Sequence, residues 1–250
     1  MDNASYESNL LLSQYLLFHY GSREQQLPWN DGPHEALAFP VRCVREGVDP
    51  DRLPSKRRAL DVGCAVGRAT FELGRIFESV TGIDYSHAFV EAASKIAEAG
   101  SLAYQFQETG TILADAAAER PEGVESDVTF SQGDAQHLPA DLGRFDCVLA
   151  ANLLCRLGQP DLFLKRLPDL LEPGGQLIIT TPNTWLESFT AKEFWLGATP
   201  ETGEPLEALQ ARLLSDFELD RVWDMPFLIR EHRRKYQWSV AQASRWIKRA

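Results

Sequence analysis

Two short apolar segments, each ending near a carboxylate, constrain this chain more than any other feature. The first, Ala59-Leu60-Asp61-Val62, runs straight into Gly63-Cys64-Ala65-Val66-Gly67. The second closes on Gly82-Ile83-Asp84, whose acid falls 23 residues after Asp61. A buried strand, a glycine turn that opens a helix, and a second strand with an acid at its tip make one βαβ unit. Such a unit lets a ligand approach bare backbone. It also places a carboxylate where a ribose presents its two hydroxyls.

The alternation continues along the chain. Apolar runs predict strands at 57–62, 79–84, 127–132, 145–151 and 176–181, with helices at 67–77, 86–99 and 160–171. Continuous apolar strands separated by helices imply a parallel sheet covered on both faces, an α/β, Rossmann-like architecture. Helical spacing at 5–18 and 34–46 predicts an N-terminal helical lid over residues 1–54. Pro50 and Pro54 lead into a single compact unit spanning 55–250. Residues 100–126 break the pattern and read as an insertion, a short strand plus a loop. Beyond 184 a helix is expected at 204–215. Two strand-like runs, 217–224 and 227–232, are expected to form an edge hairpin joined at Met225-Pro226, and Val240 to Lys248 reads as a helix.

Bulk properties narrow the function. At 250 residues the chain is long enough to bury a large core. Its 25 basic and 36 acidic residues give a net charge of -11, which argues against broad nucleic-acid binding. No apolar run approaches the roughly 20 residues that span a bilayer, so no membrane partner is expected. The N-terminus lacks the basic start and apolar stretch of a secretory signal, so a cytoplasmic location is expected. The four cysteines show no metal-ligand spacing; reduced, buried thiols and no metal are expected.

The turn has Gly-x-x-x-Gly spacing, not the Gly-x-Gly-x-x-Gly that cradles a pyrophosphate. This favours S-adenosylmethionine, a nucleoside without phosphate, over a dinucleotide. Gly63 and Gly67 shape the turn, and Asp61 is placed for the cofactor's amine or for ordering the turn. Asp84 is placed for both ribose hydroxyls, with Tyr85 and Ser86 beside it. Asp134 and Ala135, after Gln132-Gly133, are placed for the adenine amino group and ring. Asn152, past the fourth strand, sits where reacting groups meet, and Tyr20 closes the lid. An acid at a strand tip often only caps a helix. Four such positions on successive strands point together to a nucleoside site.

Residues 57 to 181 resemble the class I S-adenosylmethionine-dependent methyltransferases. Leu60-Asp61-Val62-Gly63-Cys64 is similar to their first motif, Gly82-Ile83-Asp84 to the second, Gly133-Asp134-Ala135 to the third, and Leu171-Glu172-Pro173-Gly174-Gly175 to a later turn. The resemblance implies a seven-stranded sheet, mostly parallel with one antiparallel strand. Ala65 departs from it, because the family usually carries glycine there.

Three longer runs resemble the methyltransferase family of ovothiol biosynthesis: Gln14 to Gly21, Ala150 to Cys155 and Arg230 to Trp238. That resemblance implies methyl transfer to an imidazole nitrogen of 4-mercaptohistidine, with a sulfoxide synthase acting upstream. A zwitterionic acceptor calls for charged or amide partners, for which Asn183, Arg230, Arg233 and Glu231 are candidates. Its ring and sulfur call for a flat, polarizable wall, with Tyr15, Tyr20, Trp185 and Tyr236 as candidates. Glu231, His232 or a tyrosine such as Tyr236 is placed to take the proton. Methylation of another small molecule, or an inactive cofactor-binding partner subunit, are the alternatives. The missing phosphate-cradling pattern speaks against a nicotinamide dehydrogenase.

Overall fold

The computed structural model describes residues 9–250. The N-terminal part holds α1 (Asn9–Tyr20), α2 (Arg23–Gln26) and α3 (Phe39–Arg45). The single helix expected over 34–46 is instead a 3₁₀ turn, His34–Ala36, followed by α3. The break comes at Ala38, which is left-handed at φ 54, with Pro40 in the first turn of α3, where its missing N–H costs no helical bond.

The alternating region follows the sequence closely. It contains β1 (Arg58–Val62), α4 (Arg68–Leu73), β2 (Ser79–Asp84), α5 (His87–Ala99), β5 (Asp127–Gln132), β6 (Phe145–Ala151), α6 (Pro160–Leu170) and β7 (Leu171–Thr181). Between α5 and β5, residues 100–126 form an antiparallel hairpin of β3 (Ser101–Thr109) and β4 (Ile112–Glu119), a second, two-stranded sheet. The chain ends with α7 (Pro205–Leu213), β8 (Phe217–His232) and β9 (Lys235–Lys248).

The main sheet has the order β5-β2-β1-β6-β7-β9-β8. β1, β2, β5, β6 and β7 pair in parallel, and β9 runs antiparallel to both β7 and β8. This is the seven-stranded, mostly parallel α/β sheet with one antiparallel strand that the motifs implied. Two apolar layers cover it: α6, α7 and Trp246 on one face, α3 and α4 with Phe227 on the other. A third cluster joins α1 and α5 to the hairpin. All four cysteines are buried free thiols. Among the described residues, no helix is long and apolar enough to cross a membrane.

The C-terminal region corrects two expectations. Met225-Pro226 is not a hairpin turn; the ladder passes through it, with Met225 opposite Ala241 and Pro226 opposite Val240. Proline is tolerated because β8 is the edge strand, where a missing N–H faces no neighbour. The Pro226 carbonyl accepts instead from the Arg42 guanidinium. The turn lies between β8 and β9, near Arg233. Residues 240–248 belong to strand β9, not to a helix, because β7 would otherwise present an open edge. Trp246, fully buried, fixes its register.

Candidate functional site

At the carboxyl ends of the parallel strands lies a cavity of about 420 Å³, the place where open α/β sheets bind ligands. Eight of the ten expected cofactor residues line it: Asp61, Gly63, Asp84, Tyr85, Ser86, Asp134, Ala135 and Asn152. β1 and β2 end side by side, which brings Asp84 against the turn after β1. Its Oδ2 accepts from the Ala65 amide at 2.8 Å and its Oδ1 from the Ser86 amide at 2.9 Å. Asp84 thus orders both turns, with its carboxylate lining the cavity.

Asp61 is 1 % exposed. Its Oδ2 accepts from the Thr70 hydroxyl at 2.7 Å, and no described group bonds Oδ1. Burial pushes the Asp61 carboxyl up to about 7; the Thr70 bond opposes the shift and the Asp84 charge adds to it. The unfolded chain gives up this proton near 3.8. Between these values the folded state holds more protons, so stability falls as pH rises. At roughly 1.4 kcal/mol per pKa unit, the expected decline from about pH 4 to pH 7 is of order 2–4 kcal/mol for the protein without cofactor. Asp61→Asn should flatten that decline in urea unfolding. Parallel pH curves for the two proteins would remove the assignment.

Asp134 caps a short turn, accepting from the Gln136 amide at 2.9 Å and from His137 Nδ1 at 2.9 Å. The Gln136 side-chain amide also donates to it, at 3.2 Å. Asn152 is left-handed at φ 53, a conformation asparagine tolerates. Its Oδ1 accepts from the Thr180 hydroxyl at 3.0 Å, which leaves the amide donors for a ligand. Ala65 adopts φ 48, so it takes the backbone shape that glycine usually supplies.

Two expected cofactor residues stand just outside. The Tyr20 hydroxyl donates to the Val66 carbonyl at 2.7 Å and braces the turn from behind. Gly67, at φ 86, caps α4.

These residues fit S-adenosylmethionine. A buried carboxylate with a free oxygen suits its ammonium, Asp84 its ribose, and the Asp134-Ala135 edge its adenine.

The acceptor side differs from expectation. Tyr15 lines the cavity, beside Phe18, His19, Phe39, Phe227 and Ile229. Asn183, Trp185, Arg230, Arg233, Glu231 and Tyr236 do not line it. Asn183 closes a turn on Thr181, and Trp185 is buried against Trp195. Arg230, 3 % exposed, faces away from Phe227 and Ile229, as strand alternation requires, and pairs with Glu108 at 2.8 Å. Arg233 packs on Trp29. Glu231 pairs with Lys235 at 2.7 Å, and the Tyr236 hydroxyl donates to the Arg233 carbonyl.

Two cavity residues were not anticipated. His19 stacks on Tyr15; burial, with Arg68 nearby, drives its pKa down to about 3, so the ring stays neutral. Arg156 follows the Asn152 turn by four residues. His19 lies within one of the runs that carry the narrower resemblance and Arg156 adjoins another, the available signal for them.

A family model described as a methyltransferase domain matches residues 60–179. The chain is 32% identical over 133 residues to a ubiquinone biosynthesis O-methyltransferase from Azorhizobium caulinodans, covering 53% of this chain and 43% of that one. It is 27% identical over 169 residues to ajmaline N-methyltransferase from Rauvolfia serpentina, covering 64% and 49%. The chain thus spans about half the length of the curated relatives it matches. Among solved structures, the [4+2]-cyclase SpnF superposes with a TM-score of 0.58 at 18% identity, covering 99% and 95%, a likeness of fold. Residues 60–179 of this chain, just under half of it, thus match a methyltransferase domain and lie on a sheet of class I methyltransferase topology.

Proposed function

We propose that this chain transfers a methyl group from S-adenosylmethionine to an imidazole nitrogen of 4-mercaptohistidine, following a sulfoxide synthase that installs the sulfur. One observation carries the reading. Of the three runs that resemble the ovothiol methyltransferases, the two containing Tyr15, His19 and Asn152 line one and the same cavity. The third, 230–238, stands off to the side at the end of β8 and has no part in the chemistry proposed here.

When bound, the cofactor supplies an electrophilic methyl group and a neutral leaving group. The protein therefore has no developing anion to stabilise, and positioning is its main contribution, of order 7–11 kcal/mol for a well-oriented pair. Asp61, Asp84 and Asp134 hold the cofactor against the strand tips. Tyr15, His19, Phe39 and Phe227 form an aromatic wall for a flat, sulfur-bearing ring. Because His19 is neutral, it can face a cationic or neutral imidazole without repelling it.

The test is an acceptor panel. Purified protein, S-adenosylmethionine and either 4-mercaptohistidine, histidine, a catechol or tRNA are incubated, and methylated product is sought by mass. Transfer to 4-mercaptohistidine above the others is expected. Turnover on another acceptor alone would sink the acceptor assignment. Tight cofactor binding with no turnover on any of them would favour the inactive partner subunit.

A further inference from the structure

We propose that Arg156 binds a carboxylate on the acceptor and so selects acids over their decarboxylated counterparts. The inference rests on the methyl-transfer reading for its acceptor, but its test does not require turnover. Among the described side chains that line the cavity, Asp61, Asp84 and Asp134 are the acids and Arg156 is the cation. The acids belong to the cofactor half. Arg156 lies after β6, tied to the segment that follows β7.

The guanidinium is already ordered. Its Nη1 donates to the Cys155 carbonyl at 3.0 Å and to the Thr184 carbonyl at 3.1 Å, and the group lies 4.9 Å over the Phe189 ring. These contacts engage one nitrogen and one face. No described acid pairs with Arg156, and no described group accepts from its Nε or Nη2. Those two nitrogens form the edge that takes both oxygens of a carboxylate in parallel hydrogen bonds. Ser188, exposed at the same rim, adds a hydroxyl. An arginine that only pinned the 184–189 segment would need no free edge. The division of the cavity is then simple: aromatic wall for the ring, Arg156 for the acid, strand-tip carboxylates for the cofactor.

Two sources can present a carboxylate here, the acceptor and the methionine end of the cofactor, and the experiment separates them. Protein saturated with S-adenosylhomocysteine is titrated by calorimetry with 4-mercaptohistidine and with its decarboxylated amine, for wild type, Arg156→Gln and Arg156→Lys. S-adenosylmethionine affinity is measured for each variant in parallel. The expected result is that wild type binds the acid about 30-fold or more tighter than the amine. Arg156→Gln should abolish that preference, Arg156→Lys should keep part of it, and cofactor affinity should hold within about twofold throughout. A wild type that binds acid and amine equally, or neither, overturns the proposal. So does a preference untouched by Arg156→Gln, or a loss that appears in cofactor affinity instead. Arg156-dependent binding of the acid without methyl transfer would leave this inference standing and remove the methylation reading.

Discussion

Asp84→Ala is expected to weaken S-adenosylmethionine binding by about 100-fold or more in calorimetry. The size follows from the number of tasks one carboxylate performs. It lines the cavity where the ribose diol is proposed to bind, and bonds from ligand hydroxyls to a charged group contribute about 1.5–3 kcal/mol each. It also holds the Ala65 amide at 2.8 Å and the Ser86 amide at 2.9 Å. Truncation therefore removes a ligand contact and loosens the two turns that frame it. Asp84→Asn keeps one acceptor oxygen and should fall between wild type and alanine. Affinity unchanged in the alanine variant would mean that the nucleoside rests elsewhere.

Gly67→Ala should cost roughly 2–4 kcal/mol of folding stability, combining left-handed strain with overpacking. Gly67 sits at φ 86, and a Cβ there would lie 2.6 and 2.7 Å from two atoms of the Phe130 ring. That ring cannot retreat freely. It packs edge-on against the fully buried Phe71 and also lies against Gly82, where an added Cβ would come within 2.7 Å. The glycine turn is thus required by the hydrophobic layer beneath it as much as by the ligand above. Urea unfolding measures the loss. The double variant Gly67→Ala with Phe130→Ala should couple favourably, because it relieves the overlap and leaves the backbone strain. A single variant within about 0.5 kcal/mol of wild type would refute this account.

The cofactor half was legible because a parallel βα repeat delivers every strand tip to one edge. Counting along the chain to each tip locates Asp61, Asp84, Asp134 and Asn152 without knowledge of the third dimension. β2, β5 and β6 also appear at the expected residues, since continuous apolar runs bounded by acids and glycines leave little choice of ends. The acceptor half was not legible for two reasons. Asn183 and Trp185 open a long irregular stretch whose path depends on which hydrophobic residues it buries, and Trp185 is among them. Residues 230–236 span the end of β8, the turn and the start of β9. Phe227 and Ile229 on β8 do line the cavity, and strand alternation turns Arg230 away from it. Short alternating runs hid β9 as well: Ala241, Ala243 and Ser244 read as helix until β7 needs a partner.

The insertion, unremarkable as sequence, braces the N-terminal helix over the site. Glu108 on β3 engages Arg230, and its carbonyl accepts from the Arg233 amide, so the hairpin is bolted to β8. α1 packs between them and is fastened again by Tyr20 to Val66. The roof that α1 makes over the cavity is thus held from both flanks, by the hairpin and β8 on one and by the glycine turn on the other. Tyr85, 55 % exposed, and Ser188 also line the cavity, at residues that the hairpin does not touch.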